Sequence, residues 1–212
     1  MINRPRRNRL TSAIRGLVRE SNIQAQDLVW PTFVQEGNDQ RTPIVSMPGV
    51  SRLSIDQLVA ESHKAFELGI PAVALFPAIE DSLKNSEGKE SLNSNGLLQR
   101  AVKKLKKEIP DMVVITDVAL DPYSSDGHDG FVQNGQILND LTLPLLAGMA
   151  VAQAKAGADV VAPSDMMDGR IEAIRWALDD AGFHNVLICS YCAVSYTHLR
   201  AHETDSYLVC RL

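Results

Sequence analysis

Carboxylate and hydroxyl side chains follow short apolar runs at several places in the sequence. Asp117 ends one run, Ser164 and Asp165 directly follow a second, and Ser190 with Tyr191 closes a third. Such side chains can give and take protons and can orient a polar substrate. If the runs are strands of one parallel sheet, their polar ends meet at one edge, where barrel enzymes hold their working groups.

Five apolar runs of strand length contain or precede these polar positions. They are rich in valine and isoleucine, as expected of strands that are buried on both faces. Longer segments of helical period separate them, and this alternation predicts parallel strands joined by right-handed crossovers. The predicted strands are residues 28–34, 71–77, 112–118, 159–163 and 186–191.

Four helices are predicted between these strands from apolar residues at helical spacing. The third has Pro144 in its first turn and Gly157 after it, whereas the fourth has Asp168 as its N-cap and stops at Gly182. Four lysines of the second helix lie opposite its apolar stripe, which favours a solvated face over an anion-binding patch. The first three helices are residues 55–66, 98–109 and 141–156, and the lysines are Lys103, Lys104, Lys106 and Lys107.

The order of these elements predicts an α/β fold, a (β/α)8 TIM barrel that is incomplete. No Gly-x-Gly-x-x-Gly motif follows a predicted strand, which disfavours a dinucleotide-binding Rossmann sheet. A complete barrel needs eight strands and about 250 residues, whereas this sequence has 212 residues and five predicted strands. We therefore expect an N-terminal arm over residues 1–27 and a partial barrel over residues 28–193.

Composition is typical of an ordinary globular protein. The chain is 45% hydrophobic and 22% charged, and its net charge of -5 argues against a nucleic-acid partner. No apolar run reaches the roughly 18 residues that a membrane span needs, and the basic N-terminus leads into no signal-peptide core. The three cysteines, all at or after Cys189, are not typical of a disulfide framework. Together these features predict a cytoplasmic enzyme.

Two segments, residues 117–130 (DVALDPYSSDGHDG) and 162–170 (APSDMMDGR), closely resemble the porphobilinogen synthase (5-aminolevulinate dehydratase) family. The shorter segments MPGV at 47–50 and GLLQRA at 96–101 resemble it too. The resemblance implies a TIM barrel that joins two molecules of 5-aminolevulinate, with loss of water, to porphobilinogen. It implies catalytic roles for Asp117, Ser164 and Asp165, and substrate contacts for Phe76 and Tyr191. For an isolated aspartate, helix capping would be the simpler interpretation; the surrounding motif favours the active site.

Condensing two amino-ketones requires an amine that forms a Schiff base, together with groups that move protons. The resemblance implies one lysine just after the fifth strand, where this sequence has Val194, and a second on a later strand. No lysine follows Lys155, so both Schiff-base lysines are expected to be absent. Residues 194–212 have no family counterpart and look like a translated sequencing adaptor. We therefore expect a C-terminally truncated, inactive fragment.

Two other interpretations stay open. A genuine short protein that has lost catalysis could act as a binding or assembly-modulating subunit, and another Schiff-base aldolase could use the same barrel. The APSDMMDGR block disfavours the aldolase. The DNA sequence at codon 194 would distinguish a truncation from a genuine short protein.

The resemblance also bears on metals and assembly. Zinc-using members have thiolates at three positions that are here Ala119, Asp121 and Asp129, so zinc is not expected. Asp121 and Asp129 suit magnesium or a monovalent cation, although hydrogen bonding within an active-site cover explains them equally well. No organic cofactor is expected. The family implies a homo-oligomer, an octamer, in which the arginine-rich arm at residues 4–7 grips a neighbouring subunit.

Overall fold

The computed structural model describes residues 2–191. Within this range a seven-stranded sheet forms the centre, and a separate two-stranded hairpin consists of β6 (Val132–Gln133) and β7 (Gln136–Ile137). The strands of the sheet are β1 (Val29–Val34), β2 (Arg41–Pro43), β3 (Ser51–Leu53), β4 (Ala72–Pro77), β5 (Val113–Val118), β8 (Val160–Pro163) and β9 (Leu187–Ile188). Their order across the sheet is β2-β3-β1-β4-β5-β8-β9. Every pair is parallel except β2 with β3.

Helices connect the parallel strands as the sequence predicts. They are α1 (Ser12–Leu17), α2 (Ile55–Glu67), α3 (Leu97–Glu108), α4 (Asn139–Ala156) and α5 (Arg170–Asp180). Strands β1, β4, β5, β8 and β9 are the five predicted strands, and they lie side by side in chain order, as strands do in a barrel wall. The predicted α/β class is therefore confirmed. In the described part of the chain the sheet is open, with β2 and β9 at its edges.

Two apolar clusters hold the helices against the sheet. The first joins α2 and α3 to β4 and β5 and includes Leu58, Val73 and Leu105, all fully buried. The second joins α4 and α5 to β5 and β8 and includes Met149 and Ile174, also fully buried. Val114 of β5 belongs to the first cluster and Val118 to the second, so one face of β5 packs against the helices of both clusters.

Two predicted helix starts are wrong. Helix α4 begins at Asn139, so Pro144 lies in the second turn and removes one main-chain hydrogen bond inside the helix. Helix α5 is preceded by Gly169, whose left-handed backbone (φ 77°) favours glycine, and Asp168 is not the N-cap. The Asp168 N–H instead donates to Asn139 Oδ1 at 2.8 Å, which ties the start of α5 to the start of α4.

The predicted N-terminal arm has little regular structure. It contains 3₁₀ turns at Pro5–Arg9 and Ala25–Asp27 besides α1, and none of these three elements has a buried residue. Its apolar side chains Leu10, Leu17 and Ile23 are exposed. The boundary at residue 27 stays a prediction. No helix among residues 2–191 is long and apolar enough to cross a membrane.

The lysine face of α3 is only partly solvated. Lys103, Lys104 and Lys107 are exposed, but Lys106 forms an ion pair with Asp159 at 3.0 Å and also donates to the Pro110 carbonyl at 2.9 Å. Asp159 Oδ2 accepts a further hydrogen bond from the Val114 N–H at 2.8 Å. The prediction that all four lysines point to water is therefore wrong for Lys106, which links α3 to the starts of β5 and β8.

This link predicts a measurable difference between two acidic residues. Asp159→Ala removes the partner of both Lys106 and the Val114 N–H, and we expect the free energy of unfolding to fall by about 1–3 kcal/mol. Glu108→Ala, which removes only the exposed i,i+4 pair with Lys104, should have a much smaller effect. Urea titrations followed by tryptophan fluorescence would measure both. Equal losses in the two variants would contradict the structural role of Asp159.

Candidate active site

The pairing of β5 with β8 brings the predicted catalytic residues to one edge of the sheet. Asp117 pairs with Ala162 and Val118 with Pro163, so Asp117 lies beside the strand end that continues into Ser164 and Asp165. The Ser164 N–H donates to the Val118 carbonyl at 3.3 Å, which extends the ladder one residue further.

The predicted substrate-contacting residues lie on the two neighbouring strands at the same edge. The N–H of Tyr191 donates to the Pro163 carbonyl at 3.4 Å, which continues the pairing of β9 with β8. Phe76 is near the end of β4, and its ring packs against that of Phe33 with centroids 5.7 Å apart. The fold thus places all five residues at the carboxyl ends of adjacent parallel strands.

Asp117 is a buried carboxyl group with an unpaired oxygen. Its relative exposure is 9%, and Oδ1 has no hydrogen-bond partner within residues 2–191. Burial raises the pKa of Asp117 to about 7, the nearby Ser164 hydroxyl opposes this shift, and the charges of other acidic residues add to it. A carboxyl group with this pKa can accept and return a proton near neutral pH.

Asp165 is also buried, but its surroundings hold it in place. Its Oδ1 accepts a hydrogen bond from the Met167 N–H at 2.7 Å, and its Oδ2 lies 3.4 Å from Arg170 Nε. Burial raises the pKa of Asp165, whereas the Met167 N–H and the Arg170 charge lower it. Asp165 is therefore oriented by the Met167 N–H and by the charge of Arg170, and its own charge raises the pKa of Asp117.

A cover segment, residues 119–137, runs from the end of β5 to the β6–β7 hairpin. It is tied to the loop after β4 because the Ser125 N–H donates to the Asn85 carbonyl at 3.2 Å. It is tied to α4 because the Phe131 N–H donates to Thr142 Oγ1 at 2.9 Å. At Gly130 a Cβ atom would lie 2.6 Å from Ile137 and 3.0 Å from Met167, so only glycine allows this contact with the Asp165 loop.

The two carboxyl groups predicted to bind a cation lie next to each other in the cover segment. Burial, followed by the charge and hydrogen bond of Asp129, raises the pKa of Asp121 to about 6. Burial and the neighbouring Asp129 therefore both disfavour ionisation of Asp121. Within the described residues, no group of three or more histidine, cysteine, aspartate or glutamate side chains is placed to hold a metal ion.

Two buried polar residues near Asp117 were missed by the sequence reasoning. Tyr123 is 2% exposed, its hydroxyl has no hydrogen-bond partner among the described residues, and burial raises its pKa. Gln153 of α4 is fully buried and contacts the end of β5. Tyr123 lies inside the recognised 117–130 segment, but Gln153 carries no sequence signal beyond a polar residue among apolar ones. Val194, together with the rest of the predicted tail, lies outside the described residues.

A cavity of about 570 Å³ opens at the same edge of the sheet, beside the ends of β1 and β4. Its walls are mostly polar and carry charges of both signs, including Arg52, Lys84 and Glu36. Pro122 of the cover segment forms part of the wall. The open volume at this edge therefore reaches the segment that follows Asp117.

Comparison with known proteins gives consistent similarities. The family model described as delta-aminolevulinic acid dehydratase matches residues 2–198. The delta-aminolevulinic acid dehydratase of Bradyrhizobium diazoefficiens is 52% identical over 190 residues, covering 90% of this chain and 54% of that protein. The chloroplastic enzyme of Glycine max is 53% identical over 192 residues, covering 90% and 46%. The chain thus spans about half the length of the curated relatives it matches.

A solved structure is similar over the same region. The delta-aminolevulinic acid dehydratase (porphobilinogen synthase) of Toxoplasma gondii, in complex with its reaction product porphobilinogen, superposes with a TM-score of 0.87. The sequences are 48% identical, and the match covers 90% of this chain and 55% of that one. This similarity confirms the predicted TIM-barrel fold.

The burial of Asp117 predicts a pH-dependent stability. The pKa of Asp117 is about 7 in the folded protein, above the ordinary value of 3.8, so ionisation destabilises the fold. The stability that the neutral Asp117 carboxyl contributes is fully present below about pH 4 and is lost as the pH rises through about 7. The unfolding free energy of Asp117→Asn, relative to the unmodified protein, should therefore increase by about 1 kcal/mol or more between these pH values. The same measurement on Asp111→Asn, at an exposed turn, is the control. If the difference in unfolding free energy between Asp117→Asn and the unmodified protein did not change with pH, the Asp117 carboxyl would not be buried as described.

Proposed function

The chain belongs to the delta-aminolevulinic acid dehydratase family, and from this premise we propose that the complete protein condenses two molecules of 5-aminolevulinate to porphobilinogen with loss of water. The observation that carries the proposal is the buried Asp117 carboxyl, with one unpaired oxygen, beside Ser164 and Asp165 at a single strand edge. The similar Toxoplasma gondii enzyme was crystallised with porphobilinogen, which supports this product. We therefore propose that the complete protein is a lyase of tetrapyrrole biosynthesis.

The chemistry follows from what each side chain can do. Condensation requires proton removal next to a carbonyl and protonation of the departing oxygen. Asp117 suits this exchange because its pKa is near neutral pH. The hydroxyl of Ser164 lies beside it and can hydrogen-bond a substrate oxygen or amine. Asp165, fixed by Met167 and Arg170, orients a cationic amino group by charge.

The substrate also needs a binding surface and an electron sink, a group that withdraws electrons from its ketone. The half-buried ring of Phe76 and the partly exposed ring of Tyr191 offer apolar surface and one hydroxyl at the same edge. An amine that forms an imine with the substrate ketone supplies the sink. The sequence has no lysine after Lys155, and the relatives are about twice as long as the matched region. We propose that the amine belongs to that additional length.

We propose that the arm binds a second copy of the chain in a homo-oligomer, as an octamer. Its apolar side chains Leu10, Leu17 and Ile23 are exposed, and α1 contacts the adjacent 3₁₀ turn. Apolar surface exposed on an arm of this kind is typical of an interface between subunits. We also propose a cytoplasmic protein, and its net charge of -5 argues against a nucleic-acid partner.

The proposed function is tested with a restored chimera, in which the C-terminal part of the Bradyrhizobium diazoefficiens relative replaces residues 194–212. The family resemblance implies that this exchange puts a lysine in place of Val194 and supplies the remaining strands. The chimera should form a borohydride-trappable imine with 5-aminolevulinate and release porphobilinogen. Asp117→Ala should lower kcat by about a hundredfold or more, because it removes an acid–base group.

The matched control is Asp111→Ala, at an exposed turn before β5, which should leave kcat unchanged. Porphobilinogen formation at the normal rate by the Asp117→Ala chimera would exclude the proposed role of Asp117. A folded chimera that trapped no substrate would contradict the proposed function itself.

We further propose that Asp121 and Asp129 hold a hydrated magnesium or monovalent ion rather than zinc. Their hard carboxylate oxygens fit such ions, and Ala119 gives the site no third ligand, so water would complete the coordination. A bound cation would offset negative charge near Asp117.

In the restored chimera, magnesium or potassium should therefore raise activity, and Asp129→Asn should abolish that stimulation while Asp140→Asn retains it. A zinc-selective chelator should have no effect. Activity that disappeared on zinc chelation and returned only with zinc would overturn this assignment.

A further inference from the structure

Gln153 on α4 uses both ends of its side-chain amide on two consecutive residues of β5. Its Nε2 donates to the main-chain carbonyl of Asp117 at 2.7 Å. Its Oε1 accepts a hydrogen bond from the Thr116 hydroxyl at 2.8 Å. Gln153 and Thr116 are both fully buried. The amide is therefore shielded from water, and neither hydrogen bond can be exchanged for one to solvent without opening the core.

The two contacts constrain the rotation of β5 about its own axis as well as its position. Successive side chains of a strand point to opposite faces, so the Thr116 side chain faces α4 while the Asp117 side chain faces the opposite side of the sheet. Gln153 holds Thr116 by its side chain and Asp117 by its main chain. Two fixed points on consecutive residues prevent the strand from rotating about its own axis, and that rotation would swing the Asp117 carboxyl.

The end of β5 needs such a constraint. Pairing of β4 with β5 runs from Ala72 with Val113 to Leu75 with Thr116, so it ends one residue before Asp117. Pairing of β5 with β8 continues to Val118. The next residue of β4 in this ladder, Pro77, has no N–H to donate to the Asp117 carbonyl, and the bond from Gln153 supplies the partner that β4 lacks.

We infer that Gln153 is a positioning residue that fixes the direction of the Asp117 carboxyl through the end of β5. The role rests on the proposed function, because a fixed direction has value only if Asp117 exchanges protons with a substrate. An acid–base group works at the distance and angle of a hydrogen bond to the reacting atom, so a small rotation is enough to lower the rate.

The chain offers a matched control for this role. Gln99 on α3 is also buried, and its Nε2 donates to the Ser91 carbonyl at 2.7 Å, in the 3₁₀ turn Lys89–Leu92. Gln99→Met and Gln153→Met therefore make the same chemical change at equally buried sites, and only one of these sites contacts the main chain of Asp117.

In the restored chimera, Gln153→Met should lower kcat by about tenfold or more, with KM changed by less than about threefold, because alignment rather than binding is lost. The acid limb of the kcat profile should move to lower pH, since a loosened strand end admits water to Asp117. Gln99→Met should change neither quantity beyond about twofold, even if it lowers stability equally. Identical effects of the two substitutions would show that Gln153 is merely structural.

Thr116 provides a second route if Gln153→Met fails to fold. Thr116→Val removes one of the two contacts and should lower kcat partly, whereas Thr116→Ser, which keeps the hydroxyl, should restore it. Full activity of Thr116→Val would contradict the two-point constraint.

A readout without turnover separates this inference from the proposed function. Carbon-13 NMR of labelled aspartate carboxyls, assigned with Asp117→Asn, reports the Asp117 titration in the unmodified chimera and in Gln153→Met. A titration midpoint that is the same in both overturns the inference, whether or not the enzyme is active. A midpoint that moves in a chimera that forms no porphobilinogen supports the inference and contradicts the proposed function.

Discussion

The burial of an ionisable carboxyl group, Asp117, is the constraint on which the rest of the site depends. A carboxylate loses favourable hydration when it is buried, and Asp117 Oδ1 gains no hydrogen bond in return from residues 2–191. The result is a proton affinity near neutrality instead of the ordinary acidic range. That property lasts only while water is excluded and the strand end stays in place. The cover segment, the β5–β8 ladder and the Gln153 contact together meet both conditions.

Helix α4 ties these parts together, since it contacts three segments of the site at different points along its length. Asn139 at its start binds the main chain of Asp168, in the loop that carries Asp165. Thr142 accepts a hydrogen bond from the Phe131 N–H of the cover segment. Gln153 near its end binds the main chain of Asp117. The second apolar cluster fixes the helix against β5 and β8, so core packing and site geometry are set by the same element.

The strands, and the position of Asp117 and Ser164 at their carboxyl ends, could be predicted from local patterns, whereas the roles of these residues were implied by the family resemblance. The run before Asp117 predicts a buried strand, and parallel pairing then brings its end next to Ser164. The failures involve tertiary partners that no local pattern encodes. Lys106 has the spacing of a solvated lysine, yet Asp159, more than fifty residues later, draws it to the sheet. Asp168 has a side chain typical of an N-cap, yet its main-chain N–H donates to Asn139. Gly169 is the N-cap of α5 instead. Gln153 shows no functional pattern in the sequence, because its contact with the end of β5 is tertiary.

The two buried carboxyls at the β5 and β8 ends are suited to different tasks because their surroundings differ. Asp165 has a main-chain N–H on one oxygen and a guanidinium facing the other, so its direction is fixed and its negative charge is partly balanced. Among residues 2–191, neither Asp117 Oδ1 nor Asp165 Oδ2 has a hydrogen-bond partner, but Asp165 Oδ2 faces a guanidinium, so a proton is the simplest way to satisfy Asp117 Oδ1. The negative charge of Asp165 further favours protonation of Asp117. In the proposed reaction, Asp165 therefore orients a cationic substrate, while Asp117 holds a proton that can leave and return.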